Sequence, residues 1–298
     1  MTIGATGIGT ESINPNSKDL DLLPTLELVR LIAQDQENAV QAVLDASHQM
    51  AKAVDLAAVC LAQGGRLLYA GAGTSGRLAY LDSSELTPTF GWRKERAVVV
   101  MAGGRNAVFQ AAEGAEDDFA MGKADLLALK PTNNDVLIGI AASGGTPYVL
   151  GALEAAKESG VLRIALSNNP NTKILEFSDV PILLDTGAEV ISGSTRLKAG
   201  TAQKIALNTL SSGIMVRLHK VYGNLMVDLQ ATNIKLVARA IRLTRLATDV
   251  TDDMAEAALS QAGWNVKTAI VMLKKHISAE AALVLLEKCQ GNVRLALE

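Results

Sequence analysis

Several pairs of acidic residues in this chain stand three apart, the spacing that puts side chains on one face of a helix, and two of them are candidates for chemistry. Asp82 and Glu85 lie in Arg77–Phe90 (RLAYLDSSELTPTF), and Glu113 and Glu116 lie in Glu113–Asp118 (EGAEDD). Two carboxyl groups of unlike pKa are enough for general acid–base chemistry without a redox group or a metal. Asp82 and Glu85 fall toward the C-terminal end of the helix predicted there, running to about Ser84. A negative charge is disfavoured at that end, which raises a carboxyl pKa as a general acid requires. Asp117 and Asp118 read as a solvated acidic face. Spacing alone gives Glu85 and Glu116 that same ordinary reading and does not rank them above their neighbours.

Three further segments have the residue types of an anion cradle. Gly71–Gly76 (GAGTSG) and Ser143–Thr146 (SGGT) each follow a short apolar run and open a helical pattern. Glycine lets the backbone turn its N–H groups toward a ligand, the helix start adds partial positive charge, and Ser and Thr add hydroxyl donors. Gly73, Thr74 and Ser75 in the first loop, and Ser143, Gly144 and Thr146 in the second, are the candidate phosphate-binding residues. GAGTSG also fits the dinucleotide pattern G-x-G-x-x-G, but the next predicted strand ends at Met101-Ala102 without the acidic residue that pattern asks for. The third segment, Gly187–Lys204, offers Ser194 as a helix cap. It also places Arg196 and Lys198 in the following first turn, the unfavourable end for cations unless an anion sits nearby. Lys198 and Ser194 therefore join the candidates, while Lys204 reads as an exposed basic residue.

The elements that must position these residues alternate. Arg66–Ala70, Ala97–Met101, Asp135–Ala141, Val161–Ser167 and Val180–Leu184 are short apolar runs of strand type. A Gly-rich turn and a helical pattern follow the first three, with a helix predicted from about Asn106 after the second. That plan predicts an α/β fold, a doubly wound parallel sheet flanked by helices. With 49% hydrophobic but only 3% aromatic residues, the core must be aliphatic, as suits a sheet buried on both faces. Residues 1–22, rich in Gly, Thr and Asn, read as a loose N-terminal arm. Residues 23–248 read as the catalytic domain and 249–298 as a small helical C-terminal domain, with breaks near Gly263-Trp264, His276-Ile277 and Gly291.

Composition excludes several classes. A formal net charge of −3 with no basic block argues against nucleic acid as a partner. Cys60, Cys289, His48, His219 and His276 are scattered, with no metal-ligand spacing, so neither a metal nor another cofactor is expected. No signal-peptide plan and no apolar run of membrane-spanning length is present, so the expected location is the cytoplasm, away from membranes.

Six segments in order carry a family resemblance: Gly71–Leu78 (GAGTSGRL), Leu81–Phe90 (LDSSELTPTF), Glu113–Asp117 (EGAED), Gly139–Tyr148 (GIAASGGTPY), Gly193–Lys204 (GSTRLKAGTAQK) and Gly223–Asp228 (GNLMVD). With them the chain resembles the N-acetylmuramic acid 6-phosphate etherases, of the sugar isomerase (SIS) fold group, from Thr10-Glu11 to the C-terminus. The resemblance implies a phosphorylated amino-sugar substrate and catalytic glutamates at Glu85 and Glu116. It also implies a homodimer, no metal, and a lyase role in recycling cell-wall sugars. The implied reaction opens the D-lactyl ether by elimination and then hydration, giving N-acetylglucosamine 6-phosphate and D-lactate. Gly145 stands where the family commonly has arginine, Ala79 where glycine is common, and Leu86-Thr87 where Cys-Pro is common. Two other readings share the loops: a sugar-phosphate isomerase on the same fold, and a non-catalytic sugar-phosphate-binding regulator.

Overall fold

The computed structural model describes residues 9–110 and 112–298. Helices α1 (Thr25–Asp35), α2 (Glu37–Asp45) and α3 (Ser47–Ala62) come first, and Gly64 and Gly65 release the chain into strand β1 (Leu67–Gly71). Then follow α4 (Gly73–Phe90), β2 (Ala97–Met101), α5 (Phe119–Ala128), β3 (Val136–Ile140) and α6 (Pro147–Glu158). Strand β4 (Leu162–Ser167), α7 (Lys173–Glu176), β5 (Val180–Leu183) and α8 (Lys198–Arg217) complete the alternation. All strands are parallel, in a five-stranded sheet of order β2-β1-β3-β4-β5. The predicted α/β class is the observed one.

The alternation of side chains along each strand serves two helical layers. Leu68, Ala70, Leu137 and Ala165 join Leu126 of α5 and Val149, Ala152 and Leu153 of α6 in one aliphatic core. Tyr69 points the other way and is fully buried, and its hydroxyl donates to Asp82 of α4 at 2.8 Å. The same carboxylate accepts from Asn208 and Ser211 of α8, each at 2.9 Å. One acidic side chain thus bonds β1, α4 and α8 together.

Chain contacts divide the described molecule into two compact units. The first takes residues through Ser83 together with Glu95–Ser211; the second takes Ser84–Lys94 together with Ser212–Glu298. The second unit contains α9 (Ile234–Thr248), α10 (Asp252–Gln261), α11 (Val266–Lys275), α12 (Ala279–Lys288) and α13 (Val293–Leu297). Its core joins Leu243, Leu259, Val266, Ile270, Leu286 and Val293, with α11 touching each of the other four helices. Thr251, Asn265, Ser278 and Asn292 cap four of these helices with their side chains, so local sequence fixes the starts. Lys220 and Lys267 both close on Asp228, at 2.7 and 2.9 Å, and tie the segment before α9 to α11. No helix among the described residues is long and apolar enough to cross a membrane.

Two readings of helix extent differ from the structure. Helix α4 does not stop near Ser84 but runs to Phe90, because Leu86 and Phe90 keep its apolar face buried and Gly91, at φ +60°, ends it. Asp82 is therefore well inside the helix, and burial, not the helix end, raises its pKa. After β2 the predicted helix from Asn106 is replaced by short 3-10 turns at Arg105–Val108 and Ala115–Asp117. Gly114 holds a positive φ of 72° within that stretch, which a continuous helix does not allow.

Helices α5 and α6 cross so closely that a Cβ on Gly122 would lie 1.9 Å from the Tyr148 carbonyl oxygen, and one on Gly151 2.0 Å from that of Phe119. Gly122→Ala must push the helices apart, and we expect a loss of about 1–3 kcal/mol in urea denaturation. Asp82 gives a pH test. Its folded-state pKa lies above the ordinary 3.8 chiefly because burial penalises the charge, against the pull of its three hydrogen-bond donors. The stability that the neutral carboxyl keeps below its unfolded pKa is lost as pH rises through the folded value. Wild type should therefore lose more stability between about pH 4 and about pH 7 than Asp82→Asn, read as urea midpoints at both pH values.

Candidate functional site

In an open parallel sheet the ligand crevice forms beyond the carboxyl ends of the strands, where the strand order reverses. Here that point lies between β1 and β3. Gly71 of β1 pairs with Ile140 of β3, so the loop entering α4 and the loop entering α6 leave the sheet side by side. The loop with Gly73, Thr74 and Ser75 and the loop with Ser143, Gly144 and Thr146 thus start from neighbouring strand ends.

These residues differ in what they have free. Gly76 N already donates to Ala72 O at 3.2 Å, which leaves the N–H groups of Gly73, Thr74 and Ser75 as the first turn of the 18-residue helix α4. The Ser75 hydroxyl is buried and donates to Gln203 Oε1 at 2.8 Å, while Gln203 Nε2 donates to Asn168 Oδ1 at 2.9 Å. Ser75 therefore locks α4 to α8 and to the end of β4. In the second loop Gly144, at φ +70°, donates its N–H to Ala141 O at 3.0 Å, which closes a tight turn. Ser143 is exposed, and its Oγ accepts from Gly145 N at 3.3 Å, which leaves the hydroxyl able to donate as well. Thr146 stands at the N-cap of α6 with no capping bond from its side chain.

The third segment is arranged otherwise than its sequence suggests. Lys198 is the first residue of α8, and Ser194 lies ahead of it in the connecting loop. The Lys198 ammonium is bonded to Asp35 at 2.9 Å, with both side chains over nine-tenths buried. The role of helix cap falls to Glu189, fully buried, whose carboxylate accepts from Lys198 N at 3.2 Å and Ala199 N at 2.9 Å. The anion that a cationic first turn calls for is supplied by the protein itself. Glu189 sits nine residues before Lys198, and nothing in that spacing signals the contact.

A cleft of about 250 Å³ opens between the start of α4 and the segment after β2. Gly73, Arg77, Met101, Glu113, Gly114 and Glu116 line it. Arg77 spans it from α4 and donates to Val108 O and Ala107 O, each at 3.0 Å, which holds the turn that leads toward the glutamates. Glu113 and Glu116 are exposed, on a loop and a 3-10 turn respectively, and do not share the helix face predicted for them. Asp118 instead caps α5 through Met121 N at 2.8 Å. Arg77 is the functional-site residue that sequence reasoning passed over; its place four residues into α4 was the available signal. Glu85 is exposed on α4 and belongs to the second compact unit.

Of the two long helices that start at this end of the sheet, α8 has its first turn satisfied by Glu189 and α4 has its first turn facing a cleft. A helix start of that kind attracts a phosphate or carboxylate, and Glu113 and Glu116 line the same cleft.

Comparison with known proteins agrees with this architecture. Residues 49–157 match the glucokinase regulatory protein N-terminal SIS domain, and residues 119–212 match the SIS domain. The chain is 55% identical to N-acetylmuramic acid 6-phosphate etherase of Deinococcus radiodurans, over 97% of this chain and 94% of that protein. It is 46% identical to N-acetylmuramic acid 6-phosphate etherase 1 of Vibrio cholerae, over 100% of this chain and 99% of that one. With the Aeromonas hydrophila protein of the same name it shares 47% identity over 98% of both chains. At such identity over the whole described fold, the chain belongs to the N-acetylmuramic acid 6-phosphate etherase family.

Proposed function

We propose that this protein cleaves the D-lactyl ether of N-acetylmuramic acid 6-phosphate, a carbon–oxygen lyase reaction completed by water that yields N-acetylglucosamine 6-phosphate and D-lactate. The observation that carries the reading is the cleft in which the open first turn of α4 faces Glu113 and Glu116, in a chain of this family. Ser143, Thr146, Gly73 and Thr74 hold the phosphate; Ser75, Gly144, Ser194 and Lys198 shape the loops around it.

An alkyl ether resists direct hydrolysis, so the route is indirect. In the open-chain sugar the aldehyde at carbon 1 makes the carbon 2 proton acidic and places the ether oxygen β to it. Glu116 takes that proton, and Glu85 protonates the departing lactate oxygen. Water then adds to the alkene at carbon 3. The protein acts in the cytoplasm, in recycling of cell-wall sugars, with residues 23–248 as the catalytic part and 249–298 as a helical appendage.

The active form is a homodimer. In α8, Leu210, Ile214 and Met215 are buried within the chain, while Val216 is half exposed. Helices α1, α2 and α3 leave Leu26, Val29, Val40, Leu44 and Val59 half exposed or more. An aliphatic surface of that kind on adjacent helices fits an isologous contact between two copies.

Incubation with N-acetylmuramic acid 6-phosphate in ¹⁸O-labelled water should release D-lactate and leave one labelled oxygen on carbon 3 of the sugar. Glu116→Gln should abolish solvent exchange of the carbon 2 proton. Glu85→Gln should keep some exchange and lose lactate release. Isomerisation without lactate would favour the sugar-phosphate isomerase reading, and near-normal turnover in both variants would sink the two-glutamate mechanism. For the dimer, Val40→Asp with Leu44→Asp should give monomers of much reduced activity by sedimentation and assay. Mixing Glu85→Gln with Glu116→Gln subunits should restore part of the activity if each site draws on both chains. A fully active monomer would refute the assembly.

A further inference from the structure

Of the loose arm expected at residues 1–22, residues 1–8 lie outside the described residues, and the part from Gly9 on is bonded to the body of the protein. Thr10 is fully buried, and its carbonyl accepts from Gly193 N at 3.1 Å. Asn14 Nδ2 donates to Ala188 O at 3.2 Å, the Ser17 hydroxyl to Val190 O at 2.8 Å, and the Ser192 hydroxyl to Glu11 O at 3.0 Å. Gly9–Ser17 therefore forms a strap laid along residues 188–193, held through side chains and backbone without becoming a strand.

A single amide links this strap to the site. Asn169, which follows β4 and is 2% exposed, accepts from Thr10 N at 3.2 Å through Oδ1. Its Nδ2 donates both to Thr10 Oγ1 at 2.9 Å and to Ala142 O at 2.8 Å. Ala142 immediately precedes Ser143. Both amide protons and one side of the carbonyl oxygen are thus committed to the protein, which rules Asn169 out as a donor to substrate. A second strut rises from the same place. The Asn169 backbone exchanges bonds with Ser167 Oγ at 2.9 and 3.1 Å, and Thr172 Oγ1 donates to Ser167 Oγ at 3.2 Å. The Thr172 side chain fills the space beside Gly144, where an added Cβ would lie 2.3 Å from it.

A loop with two successive glycines has much conformational freedom to lose, and binding a ligand with it costs affinity unless the loop is already ordered. Holding Ser143 and Thr146 ready for an anion requires support from outside the loop. We infer that the strap Gly9–Ser17, acting through Thr10 and Asn169, is a positioning element that fixes the Ser143–Thr146 loop for the phosphate of the sugar substrate. This rests on the assignment of that loop to phosphate given above.

Thr10→Val keeps the side-chain shape and the backbone N–H but removes the oxygen that accepts from Asn169. We expect it to raise KM for N-acetylmuramic acid 6-phosphate about tenfold, with kcat within about twofold, the pattern of a lost binding contribution. Binding of N-acetylglucosamine 6-phosphate, followed by calorimetry, should weaken in parallel, and Thr10→Ser should recover most of the affinity. In a Ser143→Ala background Thr10→Val should have a much smaller effect, since both act through one loop. If Ser143→Ala leaves the affinity intact, the phosphate assignment of the loop fails. If Ser143→Ala weakens binding but Thr10→Val does not, or the two losses simply add, the strap inference is overturned while the loop assignment stands. Should Thr10→Val not fold, Ser17→Ala, which removes the hydroxyl's bonds to Val190 O and Asn14 O, carries the same expectation at about threefold in KM; an unchanged KM there overturns the inference.

Discussion

The in-register pairing of β1 with β3 is the interaction on which the rest of this molecule depends. Gly71 opposite Ile140 makes the two strands end at the same level. Two loops far apart in sequence then begin together, at the place where crossovers to β2 and to β4 diverge to opposite faces of the sheet. A slip of one residue would exchange the two faces of the strand and send Tyr69 into the aliphatic core beside α5 and α6. Register is therefore enforced by burial on both sides, and the polar contact of Tyr69 with Asp82 marks which side is which.

Buried polar side chains do the fastening at the carboxyl end of the sheet. Ser75, Gln203 and Asn168 join α4, α8 and β4, and Asn168 reaches on to Leu184 O at 3.0 Å. Asn169 does the same for the N-terminal strap and the second loop. Such groups are costly to bury unless each finds partners, so once satisfied they specify a single arrangement of the loops. Below the sheet's other end, Asp135 works similarly. Burial pushes its pKa up, but the Arg66 guanidinium and the amides of Thr132 and Arg66 hold it below its ordinary value. That carboxylate fastens the entry of β1 to the entry of β3.

Charge is distributed so that one helix start is filled and another left open. The protein's own carboxylates, Glu189 and Asp35, neutralise the first turn of α8 and the Lys198 ammonium. The first turn of α4 meets a cleft whose opposite wall carries glutamates. A small net negative charge overall is compatible with anion binding because the attraction is local, made by backbone N–H groups rather than by a basic surface.

Sequence by itself determined the strands, the parallel α/β class and the two glycine loops, because buried strands are continuous apolar runs and glycine turns are local features. It determined the caps of the C-terminal helices for the same reason, and the ordered motifs were enough to recognise the family. It did not determine the partners of polar side chains. Lys198 has the same local sequence whether it faces an anion in solvent or Asp35 from a helix 163 residues away. The end of α4 was misjudged because the burial of Leu86 and Phe90 comes from packing that local propensity cannot register. The helix expected after β2 is broken at Gly114, whose positive φ a helix does not accommodate. Thr10 and Asn169 lie 159 residues apart, and only the folded sheet, by placing the end of β4 beside the Gly9–Glu11 turn, made them neighbours. Long-range hydrogen bonds carry no periodicity, so the tertiary structure alone decided which polar residues bond to one another within the protein.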